Sequence, residues 1–273
     1  MAEKQKEMSF LAHLEELRWH LVRSTAAIFV FAIVLFAFDK EVYENFLFAH
    51  RDPNFITYRL FCDFFSAFNI ESAFCNVSFA HTKLQSLQLT QQLMNSIWTS
   101  FILGLILAFP YILWEFWRFI TPGLHPNEVK KSRGFILIAS LLFFAGVLFS
   151  FYIIAPVSIH FLYNYQITDM IENNFTMDSH ISLVTNMLLG VAVMFELPVV
   201  VYFLSKIGLI TPEFLKKYRK HALVAVLILA AIITPPDVAS QVIVAIPVLI
   251  LYEISIYVSK MVIKRQQKRE KNA

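Results

Sequence analysis

The run VAVMFELPVV (191–200) places Glu196 inside an otherwise apolar segment, with Pro198 two positions later. A carboxylate in such a segment cannot act as a solvated surface charge. If the segment crosses a membrane, an ionised group at its centre costs a few kcal/mol even on insertion scales. By default it then marks a pathway or a partner site. Pro198 adds to the disturbance, because proline removes one backbone donor.

Two further acids stand in motifs that suit recognition of a cation. In FLAHLEELRWHLVR (10–23), Leu14, Leu17 and Leu21 line one helical face. His13, Glu16, His20 and Arg23 recur at spacings of 3, 4 and 3 on another face. Glu15 and Arg18 are spaced as an i,i+3 ion pair, which leaves Glu16 without an evident local cation. In FWRFITPGLHPNEVKKSR (116–133), Thr121-Pro122-Gly123 is turn chemistry and Pro126 suits the start of a helix. Glu128 then falls in a first turn, where the helix dipole favours a negative charge. That placement alone would account for it. The alternative joins Glu128 and Glu16 as an acidic pair, since carboxylates hold guanidinium groups through paired, charge-assisted hydrogen bonds.

Asp237 in TPPDVASQ (234–241) is placed to cap the helix that follows. Cys62 and Cys75 are the chain's only cysteines. Their spacing leaves open either a disulfide or two unpaired thiols. No H-E-x-x-H, G-x-S-x-G, Walker loop or C-x-x-C is present, and only 6 glycines are available for a phosphate-cradling loop. Nothing supports an enzyme, a cofactor or a metal site. There is also no arginine-rich stripe for nucleic acid.

The elements that hold these residues belong to a membrane. Of 273 residues 58% are hydrophobic and 16% charged, where soluble domains carry about 25% charged residues. The expected class is all-α, a single polytopic domain of six transmembrane helices. Spans of suitable hydrophobicity fall at 19–38, 93–114, 134–159, 179–205, 221–234 and 241–258. Residues 1–18 read as an amphipathic segment ahead of the first span, with no removable leader. Residues 259–273 read as a basic tail.

The fifth span is either short, about 21 Å against a ~30 Å hydrocarbon core, or clipped at its basic end. Lysine and arginine bias sets the orientation. Lys4, Lys6, Arg18 and Arg23 precede or begin the first span. Arg118, Lys130, Lys131 and Arg133 lie in the second connection. Lys206, Lys216, Lys217, Arg219 and Lys220 lie in the fourth, and six more lie in the tail. Only Lys40, Arg51, Arg59 and Lys83 fall on the opposite side, so both termini are expected in the cytoplasm. The first connection, 39–92, is too long for a structureless loop and is rich in aromatics, which suggests an external cap or an interfacial helix. It holds both cysteines, on the oxidising side.

In order along the chain, HLEELR, FITPGL…E, FELP and TPPDVASQ resemble the TatC family, the multispanning core subunit of the bacterial twin-arginine translocase. The resemblance covers the chain from His13 to the sixth span and implies that the last two helices are short. It implies that Glu16 and Glu128 recognise the paired arginines of a signal peptide, with Arg18, Phe119, Pro122 and Leu124 at neighbouring motif positions. Pro110 matches a proline of the second helix, Glu196 the family's intramembrane glutamate, and Asp237 its external aspartate; Gln241 closes the last motif. Glu15 beside Glu16 leaves open which carboxylate meets the arginines.

The implied function is a non-enzymatic receptor, multi-pass in the bacterial inner membrane. It would bind folded precursors carrying twin-arginine signal peptides and assemble with TatA/TatB-type single-span subunits. It would associate with further copies of itself and draw on the proton motive force. The rival is a proton-coupled secondary transporter of small molecules using Glu196. Such folds show internal repeats with paired broken helices, whereas FELP occurs once.

Overall fold

The computed structural model describes residues 10–69, 73–75, 77, 84–120, 132–168, 170, 173–234 and 238–270. The helices in chain order are α1 (Phe10–Ala37), α2 (Asp39–Val42), α3 (Ile56–Ala67), α4 (Gln91–Ile120), α5 (Ser132–Phe149), α6 (Ala155–Asn164), α7 (Met177–Phe195), α8 (Leu197–Lys206), α9 (Pro212–Lys217), α10 (Arg219–Ile233) and α11 (Val238–Glu270). Among the described residues the β structure is one isolated bridge between Gln85 and Thr176. Five stretches are long and apolar enough to cross a membrane: Leu14–Ala37, Gln91–Ile120, Ile136–Asn164, Met177–Lys206 and Ser240–Gln267. The chain is therefore all-α, as composition required.

The fifth expected span coincides with α10, whose 15 residues make about 23 Å of helix, short of a full crossing. The last helix corrects the expectation of two short helices. α11 has 33 residues and runs to Glu270, through the segment read as a tail. Its physical reason is composition: Lys, Arg, Gln and Glu are good helix formers. Hydropathy ends near Val258, but the helix does not. Gln266 helps to hold the extension by donating from Nε2 to the Lys206 carbonyl at 2.8 Å.

The chain divides into two compact units, Met1–Asp39 with Ser96–Ser140, and Lys40–Asn95 with Leu141–Ala273. In the first unit, α1 is continuous for 28 residues. The amphipathic segment is thus, from Phe10 onward, the start of the first long helix and not a separate element. Val30 and Ile33 are more than half exposed; on a membrane helix, lipid is the solvent for such side chains. α1 and α4 touch through small residues. A Cβ on Gly104 would lie 2.8 Å from the Ala32 amide nitrogen and 3.0 Å from the Ile28 carbonyl oxygen. Ala32 and Ala108 are buried beside it. Close backbone approach of this kind is how helices pack where no hydrophobic effect separates lipid from leucine.

In the second unit, Ile154, Ile159, Ile181, Met187 and Leu188 form the buried centre. α5 gives way to a wide turn at Ser150–Ile154 before α6. Such π-type turns free backbone groups, and the long first connection uses them. His50 Nε2 donates to the Phe151 carbonyl at 2.8 Å, and Thr57 Oγ1 donates to that of Tyr152. The Tyr58 hydroxyl donates to the carbonyl of His50 at 2.8 Å. Phe55, Phe151 and Tyr152 interlock around them. Through these contacts part of the first connection packs against the turn at Ser150–Ile154. Cys62 and Cys75 are disulfide-bonded, tying α3 to the turn at Ala73–Cys75.

Burial pushes the His50 imidazole down from 6.5 to about 4, against the raising effect of its backbone hydrogen bonds. Burial likewise raises the Tyr58 hydroxyl. Between about pH 6.5 and 4 the unfolded state binds the His50 proton and the folded state does not. Stability from this residue is therefore present above 6.5 and lost as pH falls through that window, on the order of 3 kcal/mol in all. Thermal unfolding of the purified protein across pH 7 to 4 should show this loss, and His50→Gln should reduce it.

Candidate functional site

The first unit carries a charged cluster on Glu115, a residue at the end of the charge-free stretch that defined the second span. Its carboxylate is 1% exposed and is met from two helices. From α4, the Tyr111 hydroxyl donates to Oε1 at 2.9 Å, and Arg118 Nη1 stands 3.6 Å from the same oxygen. From α1, His20 Nδ1 donates to Oε2 at 2.5 Å, and Arg23 Nη1 lies at 4.0 Å. The helical period explains the convergence: Tyr111, Glu115 and Arg118 are spaced by 4 and 3 on α4, as His20 and Arg23 are by 3 on α1. A buried charge needs such partners, since an isolated one is far more costly. Arg118 also lies over the Trp114 ring, 4.9 Å from its centroid, so its position is fixed on two sides.

Three expected site residues fall in this unit. Phe119 is one turn beyond Glu115 and sets its ring edge-on to His20 at 6.1 Å. Glu16 is one turn before His20 on α1. It is half-buried, and its Oε2 is closed off from solvent without a hydrogen-bond partner. Arg18 is exposed and borders a shallow apolar groove with Leu14, Leu17 and Leu21. The expected Glu15–Arg18 pair is not among the ion pairs of the described residues; those of this unit converge on Glu115. Pro110 lies within α4, where its missing N–H leaves the Ile106 carbonyl without its helical donor. Pro122, Leu124 and Glu128 lie outside the described residues, as does Asp237.

Glu115, His20 and Arg23 were not selected from sequence as one site. Glu115 read as the boundary of a span. The available signal was its placement four after Tyr111 and three before Arg118, the pattern of a self-contained helical ion-pair face.

The second unit holds Glu196 and Pro198. α7 ends at Phe195, and Glu196 forms the turn, with φ −75° and ψ −3°. Its side chain is 8% exposed, and Oε1 is buried without a hydrogen-bond partner. Pro198 is buried in the first turn of α8, where the missing N–H is one that a helix start leaves unpaired in any case. The backbone closes over the joint, because Val199 and Val200 both donate to the Glu196 carbonyl, at 2.9 and 3.0 Å. The proline therefore restarts the helix; the unmet polar group is the carboxyl itself. A largely apolar groove flanks the joint, lined by Asn186, Gly190, Val193, Leu197, Val200 and Val226.

Two other residues have structural uses. Gln241 Nε2 donates to the Leu227 carbonyl at 3.0 Å, joining α11 to α10. Glu253 is exposed and paired with Arg219 at 2.7 Å. Among the described residues no cluster of three His, Cys, Asp or Glu side chains could hold a metal ion.

Comparison with known proteins gives a consistent picture. Residues 12–247 match the family model for TatC, the Sec-independent protein translocase protein. The chain is 42% identical over 267 residues to the Sec-independent protein translocase protein TatC of Blattabacterium sp. subsp. Periplaneta americana, covering 97% of this chain and 100% of that protein. It is 36% identical over 260 residues to TatC of Helicobacter pylori (strain ATCC 700392 / 26695), covering 95% and 90%. A crystal structure of the twin arginine translocase receptor TatC matches 92% of this chain and 99% of its own, with a TM-score of 0.68 and 34% identity.

Proposed function

This chain belongs to the TatC family of Sec-independent protein translocase proteins, and from that premise we propose that it is the receptor that binds twin-arginine signal peptides. The observation that carries the reading is Glu16, a half-buried carboxylate with an oxygen that none of the described residues satisfies. An arginine of a signal peptide supplies the donors it lacks, and charge-assisted bonds of that kind are roughly twice as strong as neutral ones. Glu128 provides the second carboxylate, with Arg18, Phe119, Pro122 and Leu124 shaping the surroundings. The chain crosses the bacterial inner membrane six times, with α10 as the short span and both termini in the cytoplasm. TatA/TatB-type single-span subunits and further copies of the chain complete the complex. Without a nucleotide-binding motif, translocation draws on the proton motive force. Family membership favours the translocase over a small-molecule transporter.

The test is binding of a labelled twin-arginine peptide to the purified protein at about 0.1 M and about 1 M salt, where the screening length falls from about 10 Å to about 3 Å. Affinity should drop severalfold, and a peptide with two glutamines for the arginines should not bind detectably. Equal binding of both peptides would refute the reading.

A further inference from the structure

The cluster on Glu115 has no part in the recognition chemistry just described, yet it lies next to Glu16. We propose that Glu115 is a positioning residue that gathers the first unit's own cations and so keeps Glu16 open to a guanidinium from outside. The inference rests on the receptor reading above and adds a residue to it.

On α1, Glu16, His20 and Arg23 follow one stripe at spacings of 4 and 3. Left to itself, an acid followed four residues later by a basic side chain forms a pair along the helix surface. His20 would thus be the local partner of Glu16. Instead, His20 Nδ1 lies on Glu115 Oε2 at 2.5 Å, and Arg23 is drawn to the same oxygen at 4.0 Å. Arg118 is held on Oε1 at 3.6 Å. Glu115 competes well because it is 1% exposed: attraction between charges grows as water is excluded. Glu16 keeps an unpartnered oxygen in consequence.

The two acids so divide their labour. One is saturated by resident cations and the other is left unsaturated. A receptor for a doubly positive tag needs this separation, because its own arginines would otherwise occupy the acceptor and repel the ligand.

The experiment measures affinity of the full-length purified protein for a labelled twin-arginine peptide. Glu115→Gln keeps the shape and a hydrogen-bonding oxygen but removes the charge; it should weaken binding about tenfold or more, as His20 and Arg23 are released towards Glu16. Adding His20→Gln and Arg23→Gln to that variant removes the competitors and should restore affinity to within about threefold of the parent. A merely structural role for Glu115 predicts the opposite, since further loss of packing cannot rescue it. Unchanged binding by Glu115→Gln, or no recovery in the triple variant, overturns the proposal. Glu16→Gln is measured alongside: if it binds like the parent, the receptor reading itself has failed. Should Glu115→Gln not fold, carboxylate NMR of the parent decides. Adding peptide should shift Glu16 and leave Glu115 in place, and a shift at Glu115 alone overturns the inference.

Discussion

Replacing Glu196 with alanine is expected to cut export of a twin-arginine precursor about 3- to 30-fold while binding of the signal peptide stays near the parent value. The size follows from what is lost. A hydrogen bond within the membrane is worth about 0.6–2 kcal/mol, and each 1.4 kcal/mol is tenfold in a rate or equilibrium. The isolated protein should at the same time become more heat-stable. Oε1 is buried without a partner, and an unsatisfied buried group costs about 1–3 kcal/mol that alanine removes. Stability gained while transport falls is the mark of a group retained for function at the expense of the fold. Glu196→Gln separates two roles. An amide can still accept and donate hydrogen bonds, so partner contact should survive in part; a role for ionisation should not. Export assays in vesicles, with peptide binding and thermal melts on the same variants, supply all three readouts. Parent-level export by Glu196→Ala would sink the assignment.

Glu196 was legible in sequence because a lone carboxylate in an apolar run violates the cost of burying charge, and nothing nearby could excuse it. Pro198 was harder to read. From sequence it could break a helix or begin one, and the difference depends on where the preceding helix stops. α7 stops at Phe195, which puts the proline in a first turn where it fits. Five of the six expected spans followed from hydropathy, since length in an apolar stretch is what a bilayer demands. Their ends did not follow. α11 continues to Glu270 because helix propensity and hydropathy part company in a stretch of Lys, Arg and Gln. Aromatic content signalled that the first connection packs, but not where it is anchored. That depends on the turn at Ser150–Ile154, which no local composition signals. The pairing of Cys62 with Cys75 required the fold of the cap, because spacing alone fits both a bond and two thiols.

Glu115 shows the opposite limit. In the sequence it ends a charge-free stretch, and a charge at the end of a span is ordinary. Its burial arises from two helices meeting where Gly104 permits contact with α1, a tertiary fact. The face Glu16, His20 and Arg23 was legible as a stripe, but which acid its cations would choose was not.

Glu16→Gln combined with Glu128→Gln is expected to lower affinity for a twin-arginine peptide about 100-fold or more. Hydrogen bonds to a charged group contribute about 1.5–3 kcal/mol each, so loss of two comes to about 3–6 kcal/mol. Each single variant should lose about tenfold. If both acids face one pair of adjacent arginines, the double variant should depart from the sum of the singles, because groups sharing one ligand couple. A twin-lysine peptide should bind the parent more weakly than twin arginine, since an ammonium cannot make the paired, planar contact of a guanidinium. The gap between the two peptides should then close in the double variant, where no carboxylate remains to distinguish them. Glu15→Gln, one residue along the same helix, tests which acid is used. Glu15 is exposed, and its loss should cost far less than that of Glu16, whose oxygen is already withdrawn from water. Parent-like affinity in the double variant would show that the arginines are read elsewhere on the protein.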